Sequence, residues 1–270
     1  IVKKFKELNN IKSKKEVEDF LSNLQEVKIR NYFSEIKKIL GRDIFGQGFI
    51  YRIINDDEIM DVSKISDFEK YDGIKKNNKK IYVKYDKGDK DGNRWFNITP
   101  YYIKWDANTV KWFKQNSGKK GQGMPALRNL EFYFKNGFSW SDVHTLFLKS
   151  RIKESSIYDV KSMSMFSIND KISDNYLVSL INSKFISEFQ QDFLNNTSSF
   201  QINDARKIPV IIPDNKIKNE FEKIFKNALE IKKNFFNNKI SVDYHDSELG
   251  RIEGLNDKLV ENLYLNHEIN

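Results

Sequence analysis

The side chains best able to do chemistry here are basic and amide groups set in polar or glycine-punctuated loops. Lys84, Lys87, Lys90 and Arg94 fall in the run Lys84–Trp95, where Gly88 and Gly92 permit a tight turn. Lysines in such a turn can meet phosphates, and a guanidinium can instead read guanine with two hydrogen bonds. Lys119 and Lys120 occupy Gly118-Lys-Lys-Gly-Gln-Gly123, a loop able to touch phosphates through side chains and backbone amides. Arg128-Asn129 sets a guanine-type reader beside an adenine-type reader. Asp142 and His144 follow Trp140 and add short polar groups. The amide-rich stretch 195–207 brings Gln201, Asn203 and Arg206. Each stretch also has a plain structural reading. The first is a solvated hairpin turn, the second a core of aromatic residues, the third a connecting loop. Phe132, Phe134, Phe138 and Trp140 are expected inside, with the polar residues around them exposed.

Catalytic patterns fit less well. Asp43-x-x-Gly46-x-Gly48 has the look of a cofactor-binding glycine turn. Such a turn follows a strand and opens a helix, and here a helix is expected before it and a strand after it. The loop at 118–123 lacks the Gly-Lys-Ser/Thr ending of a nucleotide-binding loop. Asp214 with Glu230 and Lys232 forms a loose nuclease-like string, but Asp214 sits where a helix cap belongs and the other two share one helix. His144 stands beside Asp142 without a triad around it, and His245 and His267 are expected at the surface. A base-flipping amino-methyltransferase needs a Pro-Pro-Tyr type tetrapeptide, and the four prolines, at 100, 125, 209 and 213, are never adjacent.

Composition narrows the field. The chain has 270 residues, 39% hydrophobic and 14% aromatic, which is material for a sizeable core. There is no cysteine, so a disulfide framework and a thiolate zinc site are both excluded. Formal net charge is +8. Residues 75–120 hold 13 Lys or Arg against 4 Asp, while residues 240–270 hold 2 basic against 7 acidic residues. The basic block points to a polyanion, nucleic acid first. Against that stands a general lysine bias, 38 Lys to 8 Arg. No apolar run is long enough to span a membrane. A start on Ile1, with no signal peptide, points to a portion of a longer protein in a bacterial cytoplasm.

Periodicity predicts helices over 2–9, 14–26 and 28–40, then a strand ending near Ile54. A strand is predicted at 81–85 and another at 94–105, the latter an edge strand or one broken at Pro100. A helix over 106–116 is capped by Asp106. Short strands are expected within 130–148 and 157–168. A helix should run from Ser173 to about Asn195, and a short buried strand or extended piece should cover 207–212. Asp214 caps a helix to about Phe235, and an acidic helix covers 254–265. The class is α+β: a helical N-terminal lead, a mixed β-rich middle and long C-terminal helices. Three segments are expected: a helical linker at 1–40, the main domain at 41–236, and an acidic helical tail at 237–270.

The strings KYDKGDKDGNRW, TPYYIKW, GMPALRNLEFYFKNGFSWSDV, VKSMSMFSIN and NNTSSFQINDARKIPVIIP occur in that order. Together they resemble the C-terminal target recognition region of fused type IIG or IIS restriction–modification enzymes. Related regions occur in adenine-specific methyltransferases of phage-defence systems. The portion from LINSKFISEF through KIPVIIP also resembles specificity subunits of type I systems. The resemblance covers roughly residues 40–235. It implies a mixed β-rich target recognition domain that docks in the grooves of double-stranded DNA and presents it to other domains. Those domains, a methyltransferase and in some enzymes a nuclease, would use S-adenosylmethionine, and Mg2+ where the enzyme cuts. No cofactor and no metal is expected for this portion itself. On this reading Lys84, Lys87, Lys90, Lys119 and Lys120 are phosphate contacts. Arg94, Arg128, Asn129, Asp142, His144, Gln201, Asn203 and Arg206 are base-edge readers. The alternatives are a complete catalytic fragment, nuclease or methyltransferase, and a basic protein-interaction module.

Overall fold

The computed structural model describes residues 50–51, 54, 56–75, 77–88, 92–98, 101–117, 127–142, 147–159, 162–169 and 171–266. The helices expected at 1–40 lie outside these. The fold is α+β. The chain divides into two compact units, each discontinuous in sequence.

The first unit takes its described residues from 50–86, 99–134 and 155–159. Its strands are β1 (Ile50–Tyr51), β2 (Tyr82–Asp86), β3 (Tyr102–Lys104) and β6 (Ile157–Tyr158). They form one mixed sheet in the order β1-β3-β2-β6, antiparallel except for the β2–β6 pair. Helices α1 (Asp67–Asp72) and α2 (Ala107–Asn116) complete it. Ser66 and Glu69 cap α1 reciprocally, and Asp106 caps α2 through the amides of Asn108 and Thr109. Between α1 and β2 the chain turns at Gly73, whose φ of +88° and close approach to the Ala107 backbone leave no room for a Cβ. The core collects Ile74, Val83, Ile103, Trp105, Val110 and Phe113, all fully buried. Aromatic and β-branched residues on a short, twisted sheet bury well, and Trp105 meets Phe113, Tyr133 and Phe134 at 5.9–6.3 Å between rings.

The second unit takes 87–98, 135–154 and 160 onward. Strands β4 (Gly137–Ser141), β5 (Ser150–Lys153) and β7 (Ser162–Met165) form an antiparallel sheet in the order β5-β4-β7. Trp95 adds to it beside β5: its N–H donates to Ser150 O at 2.8 Å and its carbonyl accepts from Ile152 N at 3.0 Å. The helices are α3 (Asp174–Ile181), α4 (Lys184–Phe189), a π segment at Gln190–Leu194, α5 (Ile202–Ala205), α6 (Asn215–Phe236) and α7 (Val242–Leu265). In α6 the buried residues are Phe221, Phe225, Ala228 and Lys232, a helical stripe. In α7 the buried stripe is Ile252, Asn256, Val260 and Leu263. Residues set apart by charge as an acidic tail therefore share the core of this unit.

Several local expectations change. Among the described residues of 94–105, where one strand was expected, the strand is Tyr102–Lys104, and Trp95 belongs to the second unit. The helix expected from Ser173 to Asn195 breaks at Asn182, whose side chain turns back to bond the backbone of Ser150 in both directions. Where a short buried strand or extended piece was expected at 207–212, Lys207 and Ile208 turn out of α5 and 209–212 form no strand, with Val210 and Ile212 exposed. The C-terminal helix begins at Val242, capped by Ser241, twelve residues before the expected start. Gly250 and Gly254 stand in open space within it, so they cost helix propensity without breaking the helix. His245 is buried, stacked on Phe235 at 4.1 Å with Nδ1 2.7 Å from Asp246, where a surface position was expected. His267 lies outside the described residues.

The acidic character of α7 has a structural use. Glu253 accepts from Trp95 Nε1 at 2.9 Å and pairs with Arg94 Nη1 at 3.0 Å. Arg94 Nη2 also donates to the Asn182 carbonyl. Burial pulls the guanidinium below its ordinary range, against the opposing charges of Glu253 and Asp257. Removing one partner of a buried pair strands the other charge, so Glu253→Ala should cost about 3–5 kcal/mol in urea unfolding, and Glu253→Gln, which keeps an acceptor for Trp95, clearly less. A Glu253→Gln variant as stable as the wild type would mean that the charge of Glu253 contributes nothing.

Candidate nucleic-acid interface

Stretch 195–207 is a polar loop followed by a short helix, and it is anchored from within. Phe200 is 0% exposed, and its ring lies 5.5 Å from that of Trp140 on β4. The Phe200 N–H donates to the Asp142 carbonyl at 2.8 Å, and the Phe200 carbonyl accepts from Trp140 Nε1 at 2.9 Å. Two main-chain bonds and a buried ring thus stitch the segment to the end of β4. Upstream, Asn195 closes the π segment: its N–H donates to Gln190 O at 2.8 Å, and its Nδ2 reaches Ser199 O and Asp204 Oδ2, both at 3.1 Å. Asp204 Oδ2 also accepts from the Gln201 N–H at 3.0 Å, which starts α5. Interruptions of the α-helix by π turns often accompany functional sites.

The periodicity of α5 sorts its faces. Phe200, Asp204, Ala205 and Ile208 point inward and are buried. Gln201, Ile202, Asn203, Arg206 and Lys207 point outward and are exposed. Arg206 Nη1 lies 3.5 Å from Asn203 Oδ1, one helical turn away. Beyond α5 the segment 209–211 is held by two phenols. Tyr176 donates to Ile211 O at 2.8 Å, and Tyr264 donates to Pro209 O. Burial pushes the Tyr264 phenol up to about 12 and raises that of Tyr176 as well, so both stay donors at neutral pH.

Asp142 does not stand exposed as expected. It is 8% exposed, and its Oδ1 accepts from Ser199 Oγ at 2.6 Å and from Gln201 Nε2. The structure therefore joins Asp142 to Gln201, and places Asn203 and Arg206 on the same short helix as an outward face. Ser199 and Lys207 complete the group, and neither was singled out from sequence. The signal available was the run of small polar residues before Phe200.

The remaining candidates fall elsewhere. Arg94 is turned inward onto Glu253 and Asn182, so in this arrangement its guanidinium serves the fold and not a base edge. Lys87, in the same unit, gives its carbonyl to Arg151 Nη2 at 3.4 Å. Lys84, Arg128 and Asn129 belong to the first unit. Lys84 is half-buried in β2 opposite Tyr102. Arg128 and Asn129 are exposed, and Asn129 takes the left-handed conformation (φ 52°) at a turn where its carbonyl accepts from Tyr158. Lys90, Lys119, Lys120 and His144 lie outside the described residues.

The nuclease-like string resolves into structure. Asp214 caps α6, and Lys232 is buried, donating to Asn93 Oδ1 at 2.9 Å and lying over the Phe236 ring. Among the described residues, no group of three or more His, Asp or Glu could hold a metal ion. Nor, among the described residues, is any helix long and apolar enough to cross a membrane. No protein-family model matches the chain, and no curated protein matches it.

The anchoring of this face depends on one ring. Phe200→Ala should destabilise the second unit by about 3–5 kcal/mol, the usual cost of emptying a fully buried aromatic site. Urea unfolding followed by the fluorescence of the neighbouring Trp140 would measure it. A loss below about 1 kcal/mol would mean that the segment is not held by its core contact.

Proposed function

We propose that this chain is a sequence-specific double-stranded DNA recognition module of a restriction–modification enzyme. It positions DNA for adenine methylation, cleavage or both by other domains of the same protein. The observation that carries this reading is the anchored outward face of 201–207. Amide and guanidinium groups, the side chains that read base edges, project from a short helix whose other side is fixed in the core. Base readout needs such groups held still, because each mobile side chain must be ordered on binding. The basic excess of residues 75–120 supports the same reading by supplying attraction for phosphates. The family resemblance of residues 40–235 points the same way. Lys84, Lys87, Lys90, Lys119 and Lys120 are assigned to phosphates, Gln201, Asn203 and Arg206 to base edges, and Arg128 and Asn129 to a second reading position. The catalytic domains would bring S-adenosylmethionine, and Mg2+ where the enzyme cuts.

Selection of a randomised duplex library on the 270-residue chain, at physiological salt with competitor DNA, tests this. Enrichment of a motif of several base pairs is expected. Asn203→Ala should relax one position of the motif at a cost of roughly 1–3 kcal/mol. Lys119→Ala with Lys120→Ala should weaken all sequences alike and lower the log–log salt slope by about 1.8, or about 0.9 for each phosphate contact. Retention without any motif, equal on DNA and heparin, would replace the reading with a general polyanion or protein-interaction surface.

A further inference from the structure

Stretch 195–207 carries three apolar residues, Phe200, Ile202 and Ala205. Phe200 and Ala205 are buried, whereas Ile202 is 40% exposed and stands outside the hydrophobic core of its unit. Its main chain is nonetheless fixed. The Ile202 carbonyl accepts from the Arg206 N–H at 3.1 Å, and the Gln201 carbonyl accepts from the N–H groups of Asp204 and Ala205, both at 3.0 Å. Helical spacing places Arg206 four residues on from Ile202 and three on from Asn203, so the three share one outward face. An aliphatic side chain is thereby set between an exposed amide and an exposed guanidinium. β-Branching leaves an isoleucine in a helix essentially one χ1 rotamer, so this apolar group has little freedom to lose on contact.

An apolar group on a face that reads base edges is useful only where the edge offers an apolar group too. In the major groove that group is the C5-methyl of thymine, and the minor groove has no equivalent. A methyl covered by an isoleucine leaves water favourably. Cytosine presents its N4 amine and no methyl, and the purines present N7 with O6 or N6. Covering those polar groups with an aliphatic surface costs free energy, because no hydrogen bond replaces the lost water. Resting on the DNA-recognition reading above, we infer that Ile202 is a specificity-determining residue that selects thymine by its methyl group. The face of 201–207 accordingly enters the major groove. Asn203 and Arg206 read neighbouring edges through hydrogen bonds, and Ile202 reads the one edge feature that hydrogen bonds do not report.

The test uses the 270-residue chain and the motif recovered from a randomised duplex library. Each thymine of the motif, on either strand, is replaced in turn by uracil, which keeps every hydrogen-bonding group and lacks only the methyl. At one position this should weaken binding about fourfold, the worth of one buried methyl group. Ile202→Ala, at an exposed site, should weaken binding to the natural duplex by that factor or more. On this variant the same thymine and its uracil replacement should bind alike, while every other thymine behaves as it does with the wild type. A merely structural role for Ile202 would weaken all duplexes together and leave the dependence on each methyl unchanged. Three results would overturn the inference while leaving DNA recognition intact. The first is methyl removal that costs the same in wild type and Ile202→Ala at every thymine. The second is an Ile202→Ala variant that binds the natural duplex as the wild type does, which would assign the residue to a protein contact. The third is a motif without an A·T pair. Recovery of no motif would overturn the inference and the DNA-recognition reading together.

Discussion

Burial of Phe200 is the constraint on which the candidate interface depends. Its ring sits in the core of the second unit beside Trp140. Its amide and carbonyl both bond to the end of β4. With that residue fixed, helical periodicity determines the rest: positions 204, 205 and 208 must follow it inward, and 202, 203 and 206 must face out. The loop thereby becomes a rigid presentation of amide and guanidinium groups.

A second constraint acts on charge. The total of basic residues overstates what is available to a polyanion. Arg94 is consumed by Glu253 and the Asn182 carbonyl, Arg151 bonds Ser141 and Ser162 within the sheet, and Lys232 is buried against Asn93 and Phe236. Buried cations of this kind keep their partners because the desolvation cost of losing one is large. The acidic C-terminal helix supplies, on its inner side, the counter-charge for the first of these, Arg94. Its carboxylates at 253 and 257 face Arg94 and the Lys184 amide at the start of α4. Charge runs read along the sequence therefore separate what the fold brings together.

Regular elements were the legible part. The cap residues Asp106 and Asp214 sit where sequence placed them, and the helix expected from Ser173 begins there, since capping is a local interaction between near neighbours. Core aromatics such as Phe138 and Trp140 were legible from composition and turn spacing. What escaped was non-local. The pairing of Trp95 with β5 joins residues more than fifty positions apart, and no short-range pattern announces it. The inward turn of Arg94 depends on a helix 158 residues downstream of its neighbour Trp95. Asp142 looked like an exposed polar group because its partners, Ser199 and Gln201, arrive 57 and 59 positions later. Gln201, Asn203 and Arg206 were legible as a group because they lie within one short segment.

The central claim is that the face of 201–207 touches bases. A benzophenone side chain placed at position 202, exposed between Gln201 and Asn203, tests it directly. The labelled 270-residue chain, bound to the DNA pool recovered from a randomised library, is irradiated and the adduct mapped. The account predicts an adduct to a base inside the enriched motif. Adducts only outside the motif, or none from chains that hold DNA, would contradict it.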